Sequence, residues 1–362
     1  MYIQSLQLQS VRNLSNVKID GSTGINYLYG ANGAGKTSVL EGIYILSRGR
    51  SFRAGRGQDW ICKQESKALL AAELIPDTVS GVKTDQPIRL GLEREKTTWR
   101  ARLAGKDIKS QSKLAQALPV CLFEPETHQI ILGSPELRRR FIDWSVFHVE
   151  HSYLFHWRRY QRALKQRNQA LRDKTELSVI NSITASMLDS AMHVNQQRMV
   201  FFERLQEAMT ALLPVFNAES LSIKLSLQPG WDTTYGLEAS WKKDIENDIN
   251  RGYTNSGPQR ADIRILADSR LARHWLSRGQ QKLVALLLVL AQQQVLSTKE
   301  HQQPILLLDD LQSEFDQERY EQLFTFLATL DNQVWLTGVN PPGNNNLCQK
   351  LFHVKQGVIN TV

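Results

Sequence analysis

Apolar and polar residues alternate over residues 2–8, and a short β-rich run over 25–29 ends at Gly30. Alternation predicts a half-buried strand, and the short run predicts a second strand. A helix is predicted over 38–46, where apolar residues return every three or four positions. Residues 68–74, 88–93 and 97–103 read as antiparallel strands, with a turn at Gly105-Lys106-Asp107. From residue 136 to 213 the chain is free of proline and rich in Leu, Arg, Gln, Glu and Ala, a helical stretch closed by Pro214. Strands are predicted at 221–225 and 262–266, with a turn at Gly230-Trp231 between them. A helix over about 279–296, a strand at 305–308, a helix at 317–330 and a strand at 333–336 follow. The pattern is α/β at both ends with a helical insertion. It predicts a discontinuous head (1–118 plus 262–362) and a mainly helical second lobe (119–261).

Composition narrows this only slightly. The 362 residues are 41% hydrophobic and 22% charged, an ordinary globular balance. The longest apolar stretch, residues 283–291, is less than half a membrane span, and the first residues do not form a secretory signal, so a cytoplasmic protein with no membrane partner is expected. Cys62, Cys121 and Cys348 have no paired spacing, which predicts neither a disulfide framework nor a zinc ribbon. His148, His151 and His156 have no cysteine or acidic set around them, so no zinc site is expected there. A net charge of +8 and a pI near 9.3 favour polyanionic partners.

The chemistry enters at Gly30-Ala31-Asn32-Gly33-Ala34-Gly35-Lys36-Thr37, which matches G-x-x-x-x-G-K-[ST] in full, with a strand before it and a helix after. Glycines let the backbone wrap a triphosphate with N–H groups inward, and the helix N-terminus adds positive charge. Lys36 is expected on the β- and γ-phosphates of ATP, and the Thr37 hydroxyl on Mg²⁺. The apolar run Ile305-Leu306-Leu307-Leu308 ends in Asp309-Asp310, so a buried strand delivers two carboxylates to the carboxyl edge of the sheet. Asp309 is expected to hold Mg²⁺ and Asp310 to orient the attacking water. Positions 30 and 309 are far apart in sequence, so a large insertion must fold out between them.

Leu276-Ser277-Arg278-Gly279-Gln280-Gln281 resembles the ABC signature L-S-G-G-Q and opens the helix before the Asp309 strand. A hydroxyl and a glycine at a helix N-terminus make a second anion site. The resemblance implies that Ser277, Gly279 and Gln280 meet the nucleotide of a second copy, two heads enclosing two ATPs. Leu311 to Asp316 resembles the D-loop of the same family. The whole indicates an ABC-type ATPase head carrying an inserted helical lobe.

Further motifs resemble the RecF family of bacterial recombination-mediator ATPases, which is SMC-like. They are Arg12-Asn13, Leu40-Glu41, Ser51-Phe52-Arg53, Phe123-Glu124-Pro125-Glu126, Gly133-Ser134-Pro135 with Arg138 to Asp143, and Gly257-Pro258-Gln259-Arg260. Gln259, Ala261 and Phe315 depart from the family pattern, and the strand ending at Thr337 has no switch histidine. By resemblance, Arg12 belongs to the nucleotide site, turnover is slow, and an ATP-dependent homodimer grips single- or double-stranded DNA at gaps and junctions. RecO and RecR are the implied partners, and assistance in loading RecA is the implied outcome.

A basic stripe supports the DNA expectation. Between Arg138 and Lys174 ten Lys and Arg face three acids, with Trp144, Phe147, Tyr153, Phe155 and Trp157 interleaved. Arg158, Arg159, Arg162 and Lys165 share one helical face, and with Arg138 and Arg139 they are the expected phosphate contacts. The competing expectation, a nucleotide-binding subunit of an ABC transporter, requires the switch histidine.

Overall fold

β1 (Tyr2–Val11) turns through Arg12-Asn13 into β2 (Leu14–Asp20), Val11 pairing with Leu14. β2 was not anticipated, although Leu14, Val17 and Ile19 are its buried positions. With β4 (Lys67–Ile75), β5 (Ile88–Glu95), β6 (Trp99–Leu103) and β7 (Lys106–Ile108) they form an antiparallel sheet in the order β2-β1-β4-β5-β6-β7. The computed structural model describes residues 1–53, 59–76, 86–95, 97–297 and 303–362.

A second sheet has the order β15-β14-β3-β13-β12-β8, from β3 (Ile25–Tyr29), β8 (Val120–Phe123), β12 (Ile305–Leu308), β13 (Val334–Gly338), β14 (Lys350–Lys355) and β15 (Val358–Thr361). All its pairings are parallel except β14 with β15. Helix Lys36–Arg48 shares one core with both sheets: Val39, Leu40, Ile43 and Leu46 cluster with Leu6 and Leu8 of β1 and with Leu28, Ile305 and Leu307. The approach is close. A Cβ on Gly42 would lie 2.6 Å from a Leu8 methyl, so a larger residue there forces the helix off the strand.

These elements make one unit, residues 1–127 and 296–362; residues 128–295 make another. The boundaries differ from the expected 118 and 262 because of strand pairing. β8 lies parallel to β12 in the head sheet, whereas β10 (Asp262–Ala267), expected in the head, pairs antiparallel with β9 (Ile223–Gln228) and with β11 (Arg270–Leu271) in the second unit. The anticipated helical stretch is three helices, Pro135–Val149, Tyr153–Arg172 and Leu177–Val215, and Pro214 lies inside the last turn of the third rather than after it. An unanticipated helix, Gly236–Arg251, places Leu237 and Trp241 against Tyr160, Leu164 and Met187. In helix Arg278–Ser297 the apolar run 283–291 is buried throughout, the mark of a core helix. Among the described residues no helix is long and apolar enough to cross a membrane.

Candidate nucleotide site

β3 delivers the chain to Gly30 with φ +148, and a Cβ there would stand 2.2 Å from the Val354 carbonyl oxygen. Only glycine makes this turn. The loop then enters helix Lys36–Arg48 through Gly35, which offers no side-chain cap to the first-turn N–H groups. Uncapped donors at a helix N-terminus are an anion site. Asn13 steadies the loop: its amide donates to the Gly33 carbonyl at 3.1 Å and its oxygen accepts the Ser38 hydroxyl at 3.0 Å. Lys36 is buried, and its ammonium donates to the Gly30 and Ala31 carbonyls at 2.7 and 3.0 Å. Burial pulls its pKa down, against the opposing pull of Asp310 and Asp309.

The acidic pair arrives from the far end of the chain. The Thr37 hydroxyl donates to Asp309 Oδ1 at 2.9 Å across 272 residues. Leu308 of β12 pairs with Leu336 of β13, which brings Thr337 beside both acids. Thr337 donates to Asp309 Oδ1 at 2.7 Å and accepts the Asp310 backbone N–H at 2.8 Å. Burial raises the Asp309 pKa, and the bonds from Thr337 and Thr37 lower it in part. Asp310 adopts φ +54, and its buried Oδ1 makes no hydrogen bond. A carboxylate and a hydroxyl converging beside an orphaned carboxylate oxygen suit a hard divalent cation such as Mg²⁺. Glu124, just past β8, is pushed up to about 7, chiefly by burial and then by the charges of Asp309 and Glu126, with Arg53 opposing.

One cleft is lined by residues 32–37 of the glycine-rich loop, Asp309, Asp310 and Thr337 together with Arg12 and Arg53. Glu41 holds that cationic wall. Its side chain is wholly buried and takes the Arg12 guanidinium through Nε at 3.0 Å and Nη2 at 2.7 Å, while Arg53 Nη1 stands 3.7 Å away. No role was anticipated for Glu41 or Thr337. A glutamate among buried apolar positions of a helix was the available signal for the first, since a buried acid needs a cation.

The model of the RecF/RecN/SMC N-terminal domain matches residues 2–359. The DNA replication and repair protein RecF of Marinomonas sp. (strain MWYL1) is 38% identical over 343 residues, covering 94% of this chain and 91% of that protein. That of Coxiella burnetii (strain RSA 493 / Nine Mile phase I) is 36% identical over 371 residues, 99% of each chain. The chain belongs to the RecF family. Its fold is similar to a solved RecF–ATP structure of the RecFOR pathway, with TM-score 0.86 and 22% identity over 100% of this chain and 97% of that one. An Smc head bound to the C-terminal winged-helix domain of ScpA shares the fold more distantly, with TM-score 0.59 and 17% identity over 100% and 98% of the two chains. The transporter alternative is not favoured.

In this RecF-family chain the signature opens helix Arg278–Ser297. Ser277 and Gln280 cap it reciprocally: the Ser277 N–H donates to Gln280 Oε1 at 2.9 Å, and the Ser277 hydroxyl oxygen accepts the Gln280 N–H at 3.3 Å. This is a capping box with glutamine at its third position. Ser277, Arg278 and Gly279 are exposed.

The basic arm divides into two kinds of residue. Arg138, expected on DNA, is buried; its guanidinium grips Asp262 at 2.7 and 3.1 Å and donates to the Ile130 and Gly133 carbonyls. It is a structural cation. Arg139 donates to the Ala261 carbonyl at 2.8 Å and is half-buried. Arg158, Arg159, Arg162 and Lys165 are exposed on helix Tyr153–Arg172, as the spacing implied. Of the departures, Gln259 bonds the Tyr160 hydroxyl and donates to the Thr254 and Ser256 carbonyls, and Phe315 stacks on Phe123 with centroids 6.0 Å apart.

Proposed function

We propose that this chain is an ATP-driven DNA-binding protein of recombinational repair and replication. ATP with Mg²⁺ closes two copies into a dimer that grips DNA at a gap or junction, and slow hydrolysis, stimulated by DNA, reopens it. The observation that carries the reading is the convergence of Lys36, Thr37, Asp309 and Asp310 on one cleft. Lys36 and the loop N–H groups of residues 30–37 bind the phosphates, with Arg12 on the cleft wall. Thr37 and Asp309 hold Mg²⁺, which neutralises phosphate charge, and Asp310 orients water. Exposed Ser277 and Gly279, with half-buried Gln280, supply the anion site for the second copy's nucleotide. Arg139, Arg158, Arg159, Arg162 and Lys165 neutralise DNA phosphates. The family relationship supports RecO and RecR as partners, loading of RecA as the outcome, and the cytoplasm as the setting.

Sedimentation velocity with and without ATP tests the proposal. The wild type is expected to dimerise only with ATP, whereas Ser277→Arg stays monomeric and Lys36→Ala loses nucleotide binding. A wild type that remains monomeric with ATP and gapped DNA overturns the clamp.

A further inference from the structure

Five aromatic residues are interleaved with the cations of the basic arm, and the fold sorts them. Tyr153 is buried, Trp144, Phe147 and Trp157 are half-buried, and Phe155 is 62% exposed. Phe155 stands on helix Tyr153–Arg172, and steps of three and four residues lead from it to Arg158, Arg162 and Lys165, all exposed. Such steps stay on one helical face, so the ring heads a ridge of three cations about 15 Å long. Arg159 flanks the ridge in a loose, exposed pair with Asp189 at 3.9 Å. The ring is braced. His156 meets it in a T-shaped contact, centroids 5.2 Å apart and planes at 85°, and His156 is itself stacked on His193 of helix Leu177–Val215.

We propose that Phe155 stacks an unpaired nucleobase, so that this end of the arm takes single-stranded DNA. The inference rests on the reading of the arm as a DNA surface, and it adds what the cations cannot supply. A guanidinium or an ammonium finds the same phosphate on one strand or two. Duplex bases stack on each other and hide their faces, whereas an unpaired base offers its face to an aromatic ring. An exposed ring in line with cations holds a single strand by both of its parts, the base on the ring and the backbone on the charges. At a junction the cations follow the backbone and Phe155 takes the unpaired base.

Fluorescence anisotropy with a slowly hydrolysed ATP analogue and Mg²⁺ tests this on three DNAs: a blunt duplex, the duplex with a thymidine tail, and the duplex with an abasic tail. The wild type is expected to bind the thymidine-tailed DNA most tightly. Phe155→Ala should weaken that complex about tenfold and leave the blunt duplex and its salt dependence unchanged. Phe155→Trp should restore the affinity, and Phe155→Leu, apolar but without a ring, should not. The abasic tail should cost the wild type the same factor and Phe155→Ala nothing further. Melting should be unchanged at so exposed a position; should the alanine variant misfold, Phe155→Leu replaces it. The proposal is overturned by a wild type that holds thymidine and abasic tails alike, or by a Phe155→Ala that weakens the blunt duplex equally. It is also overturned if Phe155→Ala abolishes ATP-dependent dimerisation without DNA, which assigns the ring to the second copy. A wild type that binds none of the three DNAs overturns the DNA reading of the arm itself.

Discussion

The hydroxyl of Thr337 donates to Asp309 at 2.7 Å, and the same oxygen accepts the Asp310 backbone N–H at 2.8 Å. One side chain therefore sets the position of both acids. Thr337→Val keeps the shape and removes both bonds. A lost buried hydrogen bond costs about 1–3 kcal/mol, and 1.4 kcal/mol is about tenfold in rate. Single-turnover phosphate release should slow about tenfold while affinity for a fluorescent ATP analogue stays near wild type; Thr337→Ser should restore the rate.

Two groups of basic residues on the arm should separate experimentally. Arg138→Met leaves Asp262 and two carbonyls without their cation and should cost about 3 kcal/mol in urea unfolding. The triple variant Arg158→Ala, Arg162→Ala and Lys165→Ala should melt like wild type. Its DNA affinity should depend less steeply on salt, the log–log slope falling by roughly 3, one for each cation. Fluorescence anisotropy at several salt concentrations reads this directly.

Arg167 and Asp248 pair at 2.7 Å with both side chains wholly buried, and Thr254 accepts from the same guanidinium nitrogen. Arg167→Met strands a buried carboxylate, and the expected loss is about 3–5 kcal/mol. The double variant Arg167→Met with Asp248→Leu should recover a large part of it, as a double-mutant cycle would measure.

Glu124 links stability to pH. Its folded pKa of about 7 lies above the ordinary 4.5, so its contribution is present at low pH and is lost as pH rises through that interval. Without Mg²⁺, the wild type should lose on the order of 2–3 kcal/mol more than Glu124→Gln between about pH 5 and about pH 8. Urea titrations at the two pH values give the difference. An equal loss in both proteins removes Glu124 from the account.

Eight consecutive residues, Gly30 to Thr37, declared the glycine turn into a helix, because backbone torsion and a helix N-terminus are local properties. The four-residue apolar strand ending at Asp309 was legible for the same reason, as was the exposed spacing of Arg158, Arg162 and Lys165. Partnership was not legible. That Arg138 belongs to Asp262, Arg12 to Glu41 and Thr337 to Asp309 depends on which segments meet after folding. The second unit's boundaries were decided in the same way, by β10 pairing with β9 rather than joining the head. The sequence by itself determined the chemistry that a short run of backbone can carry. Tertiary structure decided which charges are spent on each other and which remain for ligands, because burying a charge is tolerated only where the fold supplies its partner.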